Sequence, residues 1–129
     1  MFNQKDSGKL STIQKRNNLH QIFRGDEPGA GGACHRYIVR QDKFCPHEEV
    51  VVAEIQFQHG PRNDEGSTTG VLDVDLLEIV RDRLKHFQAG EFACRENACA
   101  LTHIEEALMW MNKRVEDRAE RSVLGTYQK

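Results

Sequence analysis

Two successive apolar patterns of helical period constrain this chain more than anything else in it. Leu76, Leu77, Val80, Leu84 and Phe87 fall on one side of a helical wheel, with Arg81, Asp82, Arg83 and Lys85 between them. Such spacing marks an amphipathic helix. Asp73 suits its N-cap and Asp75 its first turn, where the helix dipole favours negative charge. The pattern ends near Gln88, and Gly90 stands at the C′ position. A short link, Glu91 to Cys94, leads into a second pattern of Ala98, Leu101, Ile104, Leu108, Met111 and Val115, from about Glu96 to about Glu120. Two amphipathic helices joined so briefly read as an αα-hairpin over residues 73–129.

The preceding segment changes period. His35 to Arg40 reads as a strand. Glu49 to Gln58 reads as a second one, where Ile55 and Phe57 alternate with Glu54, Gln56 and Gln58. Alternation of this kind belongs to a strand with one wet face, hence to an antiparallel sheet. His59 to Gly66 reads as a loop, and Ser67 to Leu72 as a further short strand. The expected fold class is α+β: a small antiparallel β-sheet over residues 34–72, then a C-terminal helical hairpin, together one domain over 34–129. Residues 1–33 read as a flexible N-terminal extension. Ordering the Gly-rich stretch Gly25 to Gly32 costs backbone entropy, and Ile13, Leu19, Ile22 and Phe23 make only a weak helical stripe over Ser11–Phe23.

Charge and cysteine content narrow the function. Lys and Arg number 18 against 20 Asp and Glu, for a net charge of −2. A protein that coats DNA needs a basic excess, so DNA is not an expected partner. No apolar run approaches the ~18 residues of a membrane span, and the first residues carry no apolar leader, so a cytosol is the expected compartment. The four cysteines, Cys34, Cys45, Cys94 and Cys99, read as reduced thiols. Cys34-His35 and Cys45-Pro46-His47 hold metal-ligating side chains, but their spacing matches no zinc module, so no metal and no cofactor is expected.

Three stretches carry a specific resemblance. They are Phe87-Gln88-Ala89-Gly90-Glu91-Phe92-Ala93-Cys94-Arg95-Glu96-Asn97-Ala98, then Ile104 to Arg114 (IEEALMWMNKR), then Asp117-Arg118, Arg121 and Gly125-Thr126. Together with the EIQFQHGP run at Glu54–Pro61, they resemble the phage Thoeris anti-defence sponge proteins. The C-terminal hairpin of that family is shared with the phage anti-CBASS cyclic-nucleotide sponge. The resemblance covers about Val50 to Thr126. It departs at Ser122-Val123-Leu124-Gly125, where the family usually has Gly-Val-Glu-Gly, and residues 1–33 have no counterpart.

The resemblance implies a non-enzymatic protein that acts in the cytoplasm of the infected bacterial host. There it would sequester glycocyclic ADP-ribose, the signal that a TIR-domain enzyme makes in Thoeris immunity. It assigns ligand binding to Phe87, Asn97, Arg114 and Arg118. Some members also bind cyclic dinucleotides or trinucleotides of the CBASS type at a separate site, for which Arg62 and Arg121 are the candidates here. Relatives also imply assembly of dimers into a trimer of dimers.

The residue chemistry admits these roles and blander ones. Phe87 can stack under a base or close the core at the hairpin end. Asn97 can donate to and accept from an adenine edge or ribose, or simply sit in a first helical turn. Arg114, Arg118 and Arg121 share one helix face, and guanidinium forks fit phosphate oxygens, but cations are also favoured at a helix C-terminus beside Glu116, Asp117 and Glu120. His103-x-Glu105-Glu106 is a possible acid/base fragment of a nucleotide hydrolase, without further ligands or a phosphate loop to support it. A regulatory protein acting through contacts of the long helix, with Trp110, is the other alternative.

Distance adds one deduction. Asn97 and Arg114 are 17 positions apart, which is roughly 25 Å on one helix at 1.5 Å per residue. A cyclic ADP-ribose is about 10 Å across, short of that span. If all four residues line one pocket, a second chain supplies one end, and an antiparallel homodimer is the expected partner arrangement.

Overall fold

The structure, a computed structural model, describes residues 8–14, 20–41, 50–61 and 63–121. The chain divides into two compact units, residues 1–60 with 66–70, and residues 61–65 with 71–129.

The first unit is built on a three-stranded antiparallel sheet in the order β1-β2-β3, with β1 at His20–Arg24, β2 at Arg36–Gln41 and β3 at Val50–Gln56. Residues of β2 pair along both edges, so Ile38 faces Phe23 on one side and Glu54 on the other. The register shifts between Val39 and Arg40, whose partners are Ala53 and Val51. Val52 is thus the extra residue of a β-bulge, which sharpens local twist. The ladder continues past the strands through the Phe57 N–H to the His35 carbonyl at 2.7 Å and the Gly25 N–H to the Arg36 carbonyl at 2.7 Å. His59 and Thr68 exchange two backbone hydrogen bonds of 2.9 Å as an isolated bridge, which is what becomes of the short strand expected over Ser67–Leu72. Ile38 and Cys34 are the buried apolar residues among those described.

β1 corrects the sequence reading. Residues 1–33 read as a flexible extension with a weak helical stripe over Ser11–Phe23, of which residues 15–19 lie outside the described ones; His20–Arg24 instead pairs with five consecutive residues of β2. Pairing to a neighbouring strand overrides a weak local helical pattern. The Gly-rich stretch is ordered too. Ala30–Gly32 forms a short 3-10 turn in which Gly31 and Gly32 take φ of 79° and 82°. Positive φ of this kind is nearly free for glycine and strained for other residues.

The second unit is the helical hairpin, α1 at Asp73–Gln88 and α2 at Arg95–Glu120. Leu72, not Asp73, is the N-cap residue of α1. Leucine has no acceptor, so the start is held from the other side: the Asp75 carboxylate accepts the Leu72 N–H at 2.8 Å, half of a capping box. Gly90 stands at C′ as expected but without a positive φ. Cys94 caps α2, its sulfur accepting the Asn97 N–H. Across the hairpin, Arg81 Nε donates to Glu105 at 2.8 Å and its terminal nitrogen to Glu78 at 3.2 Å. These two acceptors raise the Arg81 pKa further above its already high ordinary value, the Glu105 hydrogen bond contributing most.

Candidate functional site

The hairpin turn is a small cluster that local hydrogen bonds hold together. Gln88 Oε1 accepts the Cys94 N–H at 3.0 Å, and the Asn97 side-chain amide donates to the Phe92 carbonyl at 3.4 Å. These bonds fix the link between helices and set two aromatic rings beside each other. The Phe87 and Phe92 rings meet edge to face with centroids 6.3 Å apart, the geometry aromatic quadrupoles favour. The Arg83 guanidinium lies 5.3 Å from the centre of the Phe87 ring. Phe87 and Asn97 are partly buried, while Phe92 is 72% exposed. Leaving so large an apolar side chain in water forgoes about 2 kcal/mol of burial. Phe92 and Arg83 are neighbours of this cluster that the sequence reading did not single out. Their signal was i,i+4 spacing for Arg83 with Phe87, and an aromatic placed in a helix-joining turn for Phe92.

The arginines occupy the far end of α2. Arg114 and Arg121 are exposed, whereas Arg118 is buried to 7% of its full exposure, the buried residue of the helix. Asp117 pairs with Lys113 at 3.5 Å. Since α2 is unbroken from Arg95 to Glu120, the rise of an α-helix keeps Asn97 and Arg114 roughly 25 Å apart. The structure therefore brings Phe87 and Asn97 together at one end of the hairpin and sets the arginines together at the other. Arg62 lies outside the described residues, as do Cys45 and His47.

Between these ends the hairpin shows an apolar surface. Ile79, Val80, Met109, Trp110 and Val115 are exposed, from 41% for Val80 to 71% for Met109. An open groove of about 750 Å³ runs between the helices, with Val74, Leu108, Met109 and Val115 on its walls and Glu78, Arg81 and Glu105 beside them. No residue of α1 is buried. His103 is exposed and belongs to no three-residue ligand cluster: the one such cluster among the described residues is Asp26, His35 and His59, in the other unit. No described helix is long and apolar enough to cross a membrane.

A sheet followed by a hairpin with an aromatic turn, a cationic far end and an uncovered apolar flank defines a helical-hairpin domain of the kind the sequence motifs resemble. A family model described as Acb2/Tad1, hairpin domain, matches residues 49–116, and the chain belongs to that family. It is 50% identical over 78 residues to Thoeris anti-defense 1 of Bacillus phage SBSphiJ7, a match covering 60% of this chain and 54% of that relative. The chain spans about half the length of this curated relative.

Proposed function

We propose that this protein is a phage anti-Thoeris sponge: it binds glycocyclic ADP-ribose in the cytoplasm of the infected host and withholds it from the defence effector without chemical change. The observation that carries the reading is the division of candidate ligand residues between the hairpin turn, with Phe87 and Asn97, and the far end of the unbroken α2, with Arg114 and Arg118, in a chain of the Acb2/Tad1 hairpin family. The name of the relative, an anti-defence protein against Thoeris, supports the same direction.

Binding follows from the residue types. Phe87 stacks on the adenine, an interaction worth about 1–3 kcal/mol per base. Asn97 keeps its carbonyl oxygen and one N–H for the base edge or a ribose, because the bond to the Phe92 carbonyl uses only one of its donors. Arg114 presents an accessible fork to the pyrophosphate, and Arg118 a guanidinium already withdrawn from water, where its field is less screened. A second copy, lying antiparallel along the exposed hairpin face, brings its arginines to the first chain's aromatic turn. Two-fold symmetry then gives two equivalent pockets, and the dimer covers Met109, Trp110 and Val115. A few placed arginines suffice, which is compatible with a net charge of −2. Dimers assembling into a trimer of dimers, and a second site for cyclic di- and trinucleotides using Arg62 and Arg121, belong to the same proposal.

The test is calorimetry with glycocyclic ADP-ribose and a panel of cyclic di- and trinucleotides, followed by heat denaturation and recovery of the ligand. A sponge returns intact nucleotide; a hydrolase returns product. Arg114→Glu and Arg118→Glu should abolish glycocyclic ADP-ribose binding while leaving the oligomer intact. Arg121→Glu should affect only the second class of ligand. Binding that survives both of the first two changes overturns the phosphate assignment.

A further inference from the structure

A second constellation lies within the sheet unit, built from residues that the proposed function does not use. Asp26, in the β1–β2 connection, His35, just before β2, and His59, after β3, bring one carboxylate oxygen and two ring nitrogens within 4.8 Å of one another. Three separate chain segments converge there, and backbone hydrogen bonds hold each in place. The Asp26 carboxylate accepts the His35 N–H at 3.1 and 3.2 Å and the Arg36 N–H at 3.2 Å. His59 is fixed by its bridge to Thr68. The imidazoles lie face to face, 4.0 Å between centres and 3° from parallel.

One detail does not fit a merely structural cluster, and a second shows how closely the rings are packed. His35 Nδ1 is buried and has no hydrogen-bond partner, an arrangement that costs about 1–3 kcal/mol. Gly29 is placed so that a β-carbon on it would stand 2.8 Å from His59 Nε2 and 3.2 Å from His35 Cε1. The two rings therefore occupy the place that a side chain at residue 29 would fill, and their packing requires glycine there.

We infer that Asp26, His35 and His59 form a binding site for a divalent zinc-type cation. Two imidazole nitrogens and one carboxylate oxygen are a borderline donor set that suits zinc, with the fourth position left to water. Asp26 is already oriented by backbone donors, as metal-binding carboxylates usually are. The stacked rings set one condition. A nitrogen lone pair lies in its ring plane, so an ion cannot lie on the lone pairs of two parallel stacked rings at once. Binding thus turns one ring out of the stack. The ion would tie the β1–β2 connection to the segment that follows β3, stapling the edges of the sheet unit. This role is independent of nucleotide capture.

The test uses the full chain, first stripped with a chelator, and zinc alone as the probe. Calorimetry should give one zinc per chain. Ring-nitrogen NMR of the same sample should show two histidines shifting on zinc addition, assigned to His35 and His59. His35→Gln and His59→Gln should each weaken zinc binding by about 100-fold or more, since losing a ligand costs at least as much as losing a partner that orients one. His103→Gln, in the hairpin, should leave it unchanged. The NMR readout needs no variant, so a His35→Gln chain that fails to fold does not blunt the test. No zinc binding by the wild-type chain, zinc shifts on other histidines only, or affinity retained in both glutamine variants would each overturn the assignment.

Discussion

At the scale of single residues, environment sets what each side chain can do. Cys34 is buried, and desolvation, then the nearby Asp26 charge, raises its thiol pKa above the ordinary value. The thiolate is the reactive form, so burial and a raised pKa both slow it. Cys94 and Cys99 are exposed. Timed alkylation at neutral pH with peptide mapping should therefore label Cys94 and Cys99 well before Cys34. Cys34 labelled as fast as either would show that the sheet unit does not bury it. For the proposed site, Phe87→Ala should cost about 1–3 kcal/mol of ligand affinity, the worth of one stacked base. Phe87 is only partly buried and no residue of α1 is fully buried, so the thermal midpoint should move little. A large stability loss with unchanged affinity would return Phe87 to a core role.

At the scale of elements, the hairpin was legible and the N-terminal strand was not, for one physical reason. Helices are local: the apolar steps of Leu76, Leu77, Val80, Leu84 and Phe87, and those of α2, report their own period. Their bounds in the structure differ from expectation by about one residue at the start of α2. β1 is non-local. Residues 20–24 hold no decisive pattern of their own, and what makes them a strand is the open edge of β2. The Gly-rich stretch misled in the same way. Its glycines looked too costly to order, yet Gly31 and Gly32 use the positive φ they alone tolerate, and Asp26 ties the loop down with three accepted hydrogen bonds. His59 was read as a loop residue, and nothing in sequence spacing announced that it would stack on His35, 24 positions earlier. Two substitutions probe these elements. A β-carbon at Gly70 would run into the backbone carbonyls of Gln56 and Phe57. Gly70→Ala should destabilise the sheet unit by about 1–3 kcal/mol, as overpacking does, in urea unfolding followed by hydrogen exchange. Arg81→Ala removes a half-exposed ion-pair network joining the helices. It should cost about 0.2–1 kcal/mol, and less in high salt.

At the scale of the whole molecule, the candidate site was readable only in halves. Phe87, Asn97, Arg114 and Arg118 were nameable from motifs, and the separation of Asn97 from the arginines along α2 from helix rise alone. The burial of Arg118 was not, because it depends on what packs around the helix end. An apolar flank with Met109 71% and Trp110 64% exposed is a large surface for one chain to leave in water. A chain of this kind should run as a dimer or larger in native mass measurement at micromolar concentration. Trp110→Glu should shift it toward monomer and lose ligand binding with it. Monomeric Trp110→Glu protein that binds with full affinity would separate assembly from capture.

If two chains share each pocket, complementation between two inactive variants restores it. One variant carries Phe87→Ala and Asn97→Ala; the other carries Arg114→Glu and Arg118→Glu. Neither should bind glycocyclic ADP-ribose alone in calorimetry. Co-refolded in equal amounts, they should regain about a quarter of the wild-type sites, since half the dimers are mixed and each mixed dimer has one intact pocket. Mixed dimers that form, as seen by native mass, but recover no binding would contradict the shared pocket.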